Sequence, residues 1–232
     1  MGTRKQKVLI VEDNDYTVRI LRHALERAGF DVAFAFSGEE GLDMIRTCGL
    51  PDLAVVDFHM GSGMNGAEFC EQVHAFSDMP VIMLTAVCEE EIVEQCLEDH
   101  CEDFVNKPFS PDVLIMRIRR VLARFDAFQI PYTLDIPVDE HLTINFPHQF
   151  ASVNGEPVSL TPIETKLLYV LMRQAGKPVN TQYILRRIWP QEMAFEDRLH
   201  VHVHRLRRKI EDKSETPYIV SKRGRGYIFQ LN

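Results

Sequence analysis

Over the first 124 residues, short apolar runs alternate with amphipathic stretches. The runs at 8–11, 32–36, 53–56, 81–84 and 104–105 read as five strands. Between them Val18, Leu21, Leu25 and Ala28 recur at helical spacing, as do Leu42 with Ile45, Ile92 with Cys96, and Leu114 with Ile118 and Val121. Five strands separated by helices, with short connections, predict an α/β fold built on a doubly wound five-stranded parallel sheet. The run LAVVD at 53–57 fits a strand covered on both faces, and Asp57 ends it. A carboxylate there stands where open α/β sheets bind their ligands. A helix cap or turn former explains one such aspartate equally well, so the neighbouring segments decide.

The pattern changes after Arg124. Residues 125–131 have no clear period and end in a proline, which places a linker at 125–133 between a domain over 1–124 and another over 134–232. Short strands follow at 142–146, 149–153 and 157–160, the last two joined by Asn154–Gly155, a type I′ hairpin signal. Thr161, Pro162 and Glu164 supply a cap, a first-position proline and the third residue of a capping box, so a helix starts there. Its apolar face runs through Ile163, Leu167, Leu168, Leu171 and Met172. A second helix ends at Trp189 before Pro190, and a third covers about 197–212, with Leu199, Val203, Leu206 and Ile210 as its core stripe. A hairpin with a basic, glycine-containing tip closes the chain at 218–229.

Composition and charge narrow the choice. The chain is 45% hydrophobic and 26% charged, as in globular proteins. It has no membrane-length apolar run, and the N-terminus enters a strand pattern without a signal-peptide layout, so a cytoplasmic protein with no membrane partner is expected. Cys48, Cys70, Cys88, Cys96 and Cys101 are odd in number and lack a CxxC pair, which argues for reduced thiols. Residues 1–124 carry 12 Lys/Arg against 22 Asp/Glu, whereas 125–232 carry 14 against 12, and residues 198–225 alone hold 9 basic and 3 acidic groups. An acidic half joined to a half with a basic stripe suggests different partners for each.

The polar residues after the strands then make sense together. Glu12 and Asp13, Asp57, Thr85 and Lys107 follow or end four different strands and so share one edge of the sheet. Clustered carboxylates there call for a hard divalent cation such as Mg²⁺. A hydroxyl and an ammonium beside it complete a site for a phosphoryl group, with Asp57 as nucleophile.

Through VLIVEDND, DLAVVD, PVIMLTA and FVNKPFSP in order, the first half resembles the flavodoxin-like receiver domain of two-component response regulators. The resemblance implies that Asp57 accepts phosphate from a histidine kinase. It also implies that Asp13, Asp57 and the His59 carbonyl bind Mg²⁺, that Glu12 assists through water, and that Thr85 and Phe104 are the switch residues. There are departures: DFHMGSGMNG takes ten residues where the family takes nine through a proline, predicting a more mobile loop, and His100 replaces a usual glycine.

The second half resembles the OmpR/PhoB-type winged-helix effector domain, an α+β fold, through LTPIETKLLYVLM, Trp189, LHVHVHRLRRKI and SKRGRGYIF. By that resemblance Arg205 contacts bases with Arg198, Val201 and His202 nearby, His204 and Arg207 approach phosphates, and Arg225 reaches from the wing. Residues 190–196 match the loop that meets RNA polymerase, and His200 stands where the family commonly has an acid. On a helix His200 and His204 lie one turn apart while His202 points elsewhere, which leaves a two-histidine metal site open. The resemblance further implies a phosphorylation-dependent homodimer through the helix holding Ile92, the strand 104–105 and the helix holding Leu114. Asp103 with Arg117 and Glu98 with Arg119 match pairs across that interface, and Val93 and Val113 replace a third, charged pair.

The reading is therefore a DNA-binding transcription regulator rather than an enzyme. Its rivals are a phosphotransfer enzyme using Asp57, which the lack of a catalytic constellation in the second half opposes, and a constitutive DNA binder with a vestigial receiver, which the presence of Glu12, Asp13, Asp57, Thr85 and Lys107 opposes.

Overall fold

In a computed structural model of the chain, the apolar runs of the first half form one parallel sheet. β1 (Lys7–Val11), β2 (Asp31–Ala35), β3 (Leu53–Asp57), β4 (Val81–Ala86) and β5 (Asp103–Lys107) lie in the order β2-β1-β3-β4-β5, all pairs parallel. The strand order reverses between β1 and β3, which opens a crevice beyond their carboxyl ends. The structure describes residues 4–61, 63–86, 101–125, 130–190, 195–211 and 217–231. The predicted helix around Ile92 and Cys96, and His100, lie outside these residues.

The surrounding helices start where the sequence caps them. α1 (Asp15–Arg27) begins at Asn14, whose side chain accepts from the Thr17 amide, and buries Val18, Leu21 and Leu25. α2 (Gly38–Cys48) begins at Ser37, which accepts from the Glu40 amide, and α4 (Pro111–Leu122) begins at Ser110 with a proline in its first turn. α3 (Gly66–His74) is opened by a reciprocal cap: Asn65 Oδ1 accepts from the Glu68 amide and Glu68 Oε2 from the Asn65 amide, each at 3.0 Å. β3, central in the sheet, is buried along its whole length.

Contacts divide the chain into two units, Met1–His74 with Met79–Arg124, and Phe125–Asn232 with Ala75–Asp78. The second unit opens with an antiparallel sheet of β6 (Ile136–Pro137), β7 (Leu142–Asn145), β8 (Phe150–Val153) and β9 (Glu156–Ser159). The two-residue β6 is too short to leave a pattern in the sequence. The β8–β9 turn carries Asn154 and Gly155 at φ 53° and 83°, the two positive values that a type I′ turn requires.

Three helices and a hairpin follow, the winged-helix arrangement: α5 (Pro162–Met172), α6 (Thr181–Ile188), α7 (Glu196–Ile210), then β10 (Ile219–Lys222) paired with β11 (Gly226–Phe229). The capping box is present, with Thr161 Oγ1 accepting from the Glu164 amide and Glu164 Oε2 from the Thr161 amide. α7 buries Leu199, Val203, Leu206 and Ile210, the stripe its periodicity predicts. The hairpin is tied down by paired hydrogen bonds between Val179 and Tyr227. Gly226 (φ 99°) permits that approach, since a Cβ there would collide with the Val179 carbonyl oxygen. No described helix is long and apolar enough to cross a membrane. Cys48 and Cys70 are free thiols.

Candidate functional site

At the carboxyl edge of the parallel sheet, strand register brings the expected residues together. Val11 is level with Val56, so Glu12 and Asp13 emerge beside Asp57, while Asp57 is level with Leu84 and Ala86 with Lys107. Lys107 Nζ lies 2.8 Å from Glu12 Oε2 and 2.8 Å from Asp57 Oδ2. Glu12 and Asp57 are buried, at 1% and 6% exposure, whereas Asp13 faces solvent. Burial raises the Glu12 pKa, with the Asp57 charge adding to it and the Lys107 contact opposing it. Burial works against the Lys107 charge too, but hydrogen bonds to Asp57 and Glu12 outweigh it and hold the ammonium above its ordinary pKa. One oxygen from each of Glu12, Asp13 and Asp57 lies within 4.8 Å of the others, a hard donor set of the kind that suits a small divalent cation. Among the described residues no comparable trio includes His200 or His204.

Thr85 is buried in β4 with its hydroxyl donating to the Ala86 carbonyl at 3.2 Å, and Phe104 is half-buried in β5. His59 is exposed on the loop after β3, its ring edge-on to Phe58. That loop has more anchors than its glycines suggested. The Gly66 amide donates to the Phe58 carbonyl and the Met64 amide to Glu39 Oε1, which lowers the Glu39 pKa.

The second cluster is on α7. Val201 is 47% exposed, and His204, Arg205 and Arg225 face solvent. The Arg198 guanidinium lies 4.6 Å from the centre of the Trp189 ring, and the half-buried His202 ring packs on the same indole at 5.6 Å. Burial, then the Arg205 and Arg198 charges, lowers the His202 pKa and favours neutral imidazole. Arg207 departs from its expected place at a DNA phosphate. Its Nε donates to the Ile219 carbonyl at 2.9 Å and Nη2 to Ser221 Oγ at 3.0 Å, so it holds the wing. A cleft of about 450 Å³ between α7, the start of α6 and the wing is lined by Thr181, His200, Lys222, Arg223 and Arg225.

Comparison with known proteins gives these two clusters a family. Residues 8–119 match the response regulator receiver domain, and residues 155–229 match the C-terminal domain of transcriptional regulatory proteins. The DNA-binding response regulator MtrA of Mycobacterium tuberculosis is 35% identical over 233 residues, covering 98% of each chain, and MtrA of Mycobacterium leprae is 35% identical over 225. MtrA from M. leprae covers 96% of this chain and 97% of its own. Among solved structures, the Thermotoga maritima response regulator DrrB, described as an OmpR/PhoB homologue, covers 98% of the chain at 24% identity and a TM-score of 0.47. The chain belongs to the OmpR/PhoB-type response regulators. Such a response regulator is a two-component transcriptional regulator, with a histidine kinase and DNA as its partners.

Within this regulator, the residues expected at a dimer interface divide. Asp103 is buried and accepts from Arg117 at 2.7 Å and from Arg120 at 2.6 Å. Arg120 was missed in the sequence, although its i+3 spacing from Arg117 puts both on one face. Arg124 with Glu102, at 3.3 Å, was missed as well. Arg119 is a correction: its Nη2 donates to the Ala28 carbonyl beyond α1, because residues two apart on a helix diverge by about 200°. Val113 is 37% and Met116 64% exposed, an apolar strip one turn apart on α4. Val93 and Glu98 lie outside the described residues, as do residues 191–194 of the loop assigned to RNA polymerase.

Proposed function

We propose that this regulator is controlled by phosphorylation, taking a phosphoryl group on Asp57 from its histidine kinase and binding DNA as a dimer. The observation that carries the reading is the convergence of two buried carboxylates, Glu12 and Asp57, on the Lys107 ammonium at the carboxyl edge of the sheet. An Asp57 oxygen attacks the phosphorus of a phosphorylated imidazole. The P–O bond forms as the P–N bond breaks, and the departing nitrogen takes up a proton. Lys107 is placed to offset the charge on the transferring oxygens.

The oxygen trio fits Mg²⁺, with Asp13, Asp57 and the His59 carbonyl as ligands and Glu12 acting through water. When bound, that ion neutralises the clustered carboxylates and the incoming phosphoryl group. Thr85 would exchange its bond to Ala86 for one to the phosphoryl oxygen, with Phe104 turning inward behind it. In this reading the receiver is 1–124, the linker 125–133 and the effector 134–232.

Val113, Asp103 and Arg117 belong to the dimer face, with Val93 and Glu98 opposite. Arg205 reads a base edge near Arg198, Val201 and His202, while His204 and Arg225 meet phosphates. Arg207 positions the wing, residues 190–196 meet RNA polymerase, and the protein works in the cytoplasm. Incubation with acetyl phosphate and Mg²⁺, followed by intact-protein mass spectrometry, tests the assignment. One phosphoryl group should appear and should vanish in Asp57→Asn, and undiminished labelling of that variant would refute it.

A further inference from the structure

The loop from β3 to α3 is pinned at two places. At its base the Gly66 amide donates to the Phe58 carbonyl at 3.0 Å. Gly66 itself has no room for a side chain, since a Cβ would sit 2.6 Å from the Asp57 carbonyl oxygen. At its far side the Met64 amide donates to Glu39 Oε1 at 2.9 Å, and the Met64 side chain rests on Gly38, whose Cβ position is 3.0 Å from the sulfur. Between these pins Gly61 (φ 47°) lies against Asp13, 3.4 Å from Oδ2 to its Cβ position, and Gly63 (φ 137°) lies against Glu39.

Glu39 is not the residue that caps α2. That work is done by Ser37, which accepts from the Glu40 amide, and by Glu40, which accepts from the Phe36 amide at 2.7 Å. The Glu39 carboxylate is exposed; besides a hydrogen bond with the Ser37 side chain, it accepts from the Met64 amide of the loop 25 residues away. Glycine loses more backbone freedom on ordering than any other residue, so a loop containing Gly61 and Gly63 stays in place only if something holds it.

We propose that Glu39 is a positioning residue that latches this loop against Asp13 and thereby sets how tightly the acidic crevice holds a divalent cation. The inference rests on the reading of Glu12, Asp13 and Asp57 as a cation and phosphoacceptor site. With the latch closed, the His59 carbonyl and the backbone at Gly61 are already in place before the ion arrives. With it open, binding must also order the loop, and affinity falls by the fraction of molecules in the competent state.

The test uses the full-length protein with Glu39→Ala and with Glu39→Gln, whose amide oxygen still accepts the Met64 hydrogen. Hydrogen exchange without metal should quicken at 58–66 in the alanine variant and return to native in the glutamine variant. Titration calorimetry with Mg²⁺ should show affinity weakened about fivefold by alanine, the factor one net hydrogen bond carries, and restored by glutamine. The Mg²⁺ concentration for half-maximal labelling by acetyl phosphate should shift in parallel. Native exchange and native Mg²⁺ affinity in Glu39→Ala would overturn the latch, as would a glutamine variant that behaves like alanine. If the native protein binds Mg²⁺ yet takes no phosphoryl group, the phosphoacceptor reading falls, and exchange and calorimetry still judge the latch.

Discussion

The ion pair between Glu164 and Lys209 fastens the end of α7 to the start of α5, and its removal makes an ordered prediction. The Glu164 side chain is 2% exposed and accepts from Lys209 Nζ at 2.6 Å and from the Thr161 amide at 2.8 Å. Lys209 is 32% exposed and also donates to the Ser159 carbonyl. Lys209→Met strands a carboxylate that water hardly reaches, and breaking a buried pair in this way costs about 3–5 kcal/mol. Glu164→Gln keeps the cap and leaves a lysine that water can resolvate, so its cost should be nearer 1 kcal/mol. Glu164→Ala adds loss of the cap, worth about 0.5–2 kcal/mol. The double change Glu164→Gln with Lys209→Met should recover much of what Lys209→Met alone loses.

Trp189 is the chain's one tryptophan and is buried in the second unit, so its fluorescence during urea unfolding follows that unit alone. Acid dependence supplies a second check. Burial disfavours the Glu164 charge, but Lys209 and the Thr161 amide outweigh it and lower the carboxyl pKa from its ordinary 4.5. The folded value lies below the unfolded one. The pair's contribution is therefore complete above about pH 4.5 and is lost as pH falls through the folded pKa. Glu164→Gln should flatten stability in that window, while Lys209→Met should make acid loss begin at higher pH. If Lys209→Met proves milder than Glu164→Gln, the charges are not what holds the two helices.

Other changes probe separate links. Tyr218 donates to Asp139 Oδ2 at 2.7 Å, so Tyr218→Phe should cost about 1.5–3 kcal/mol by the same fluorescence measurement; no change would mean that water replaces the bond. Gly226→Ala should displace the wing from Val179 and cut DNA affinity in a gel-shift titration, and native affinity would show that the close approach is dispensable. Arg205→Ala should narrow the gap between operator and random DNA by roughly 1–3 kcal/mol, whereas equal weakening on both would place Arg205 at the backbone.

Much of the fold was legible because it rests on local signals. Thr161, Pro162 and Glu164 announce the capping box that opens α5, and the spacing of Leu199, Val203, Leu206 and Ile210 announces the buried stripe of α7. The acidic crevice was legible for a different reason: residues that end parallel strands in one sheet must meet at one edge, so Glu12, Asp57 and Lys107 converge without any contact being visible in the sequence. Polar pairs between distant segments leave no such trace. Met64 and Glu39 are 25 residues apart, and Lys209 and Glu164 are 45, so neither latch was read. The helical period separates Arg119 from Arg117 and turns it toward the Ala28 carbonyl, a direction that a family pairing by position does not carry.

Fewer of the cations on α7 are free to meet DNA than its composition suggests. α7 carries Arg198, Arg205, Arg207, Arg208 and Lys209. Lys209 is bound to Glu164 and the Ser159 carbonyl, and Arg207 to the Ile219 carbonyl and Ser221. Both have exchanged reach for structure, which leaves the exposed Arg208 as the better candidate for an added phosphate contact. A cation that neutralises a phosphate releases counterions and steepens the fall of log K with log salt by about 0.9. Arg208→Ala should therefore flatten the slope measured on random DNA by nearly one. Arg207→Ala should lower Trp189-monitored stability and leave that slope close to native. If Arg207→Ala flattens the slope as fully as Arg208→Ala does, its guanidinium leaves Ile219 and Ser221 when DNA binds, and the wing is not held from α7 in the complex.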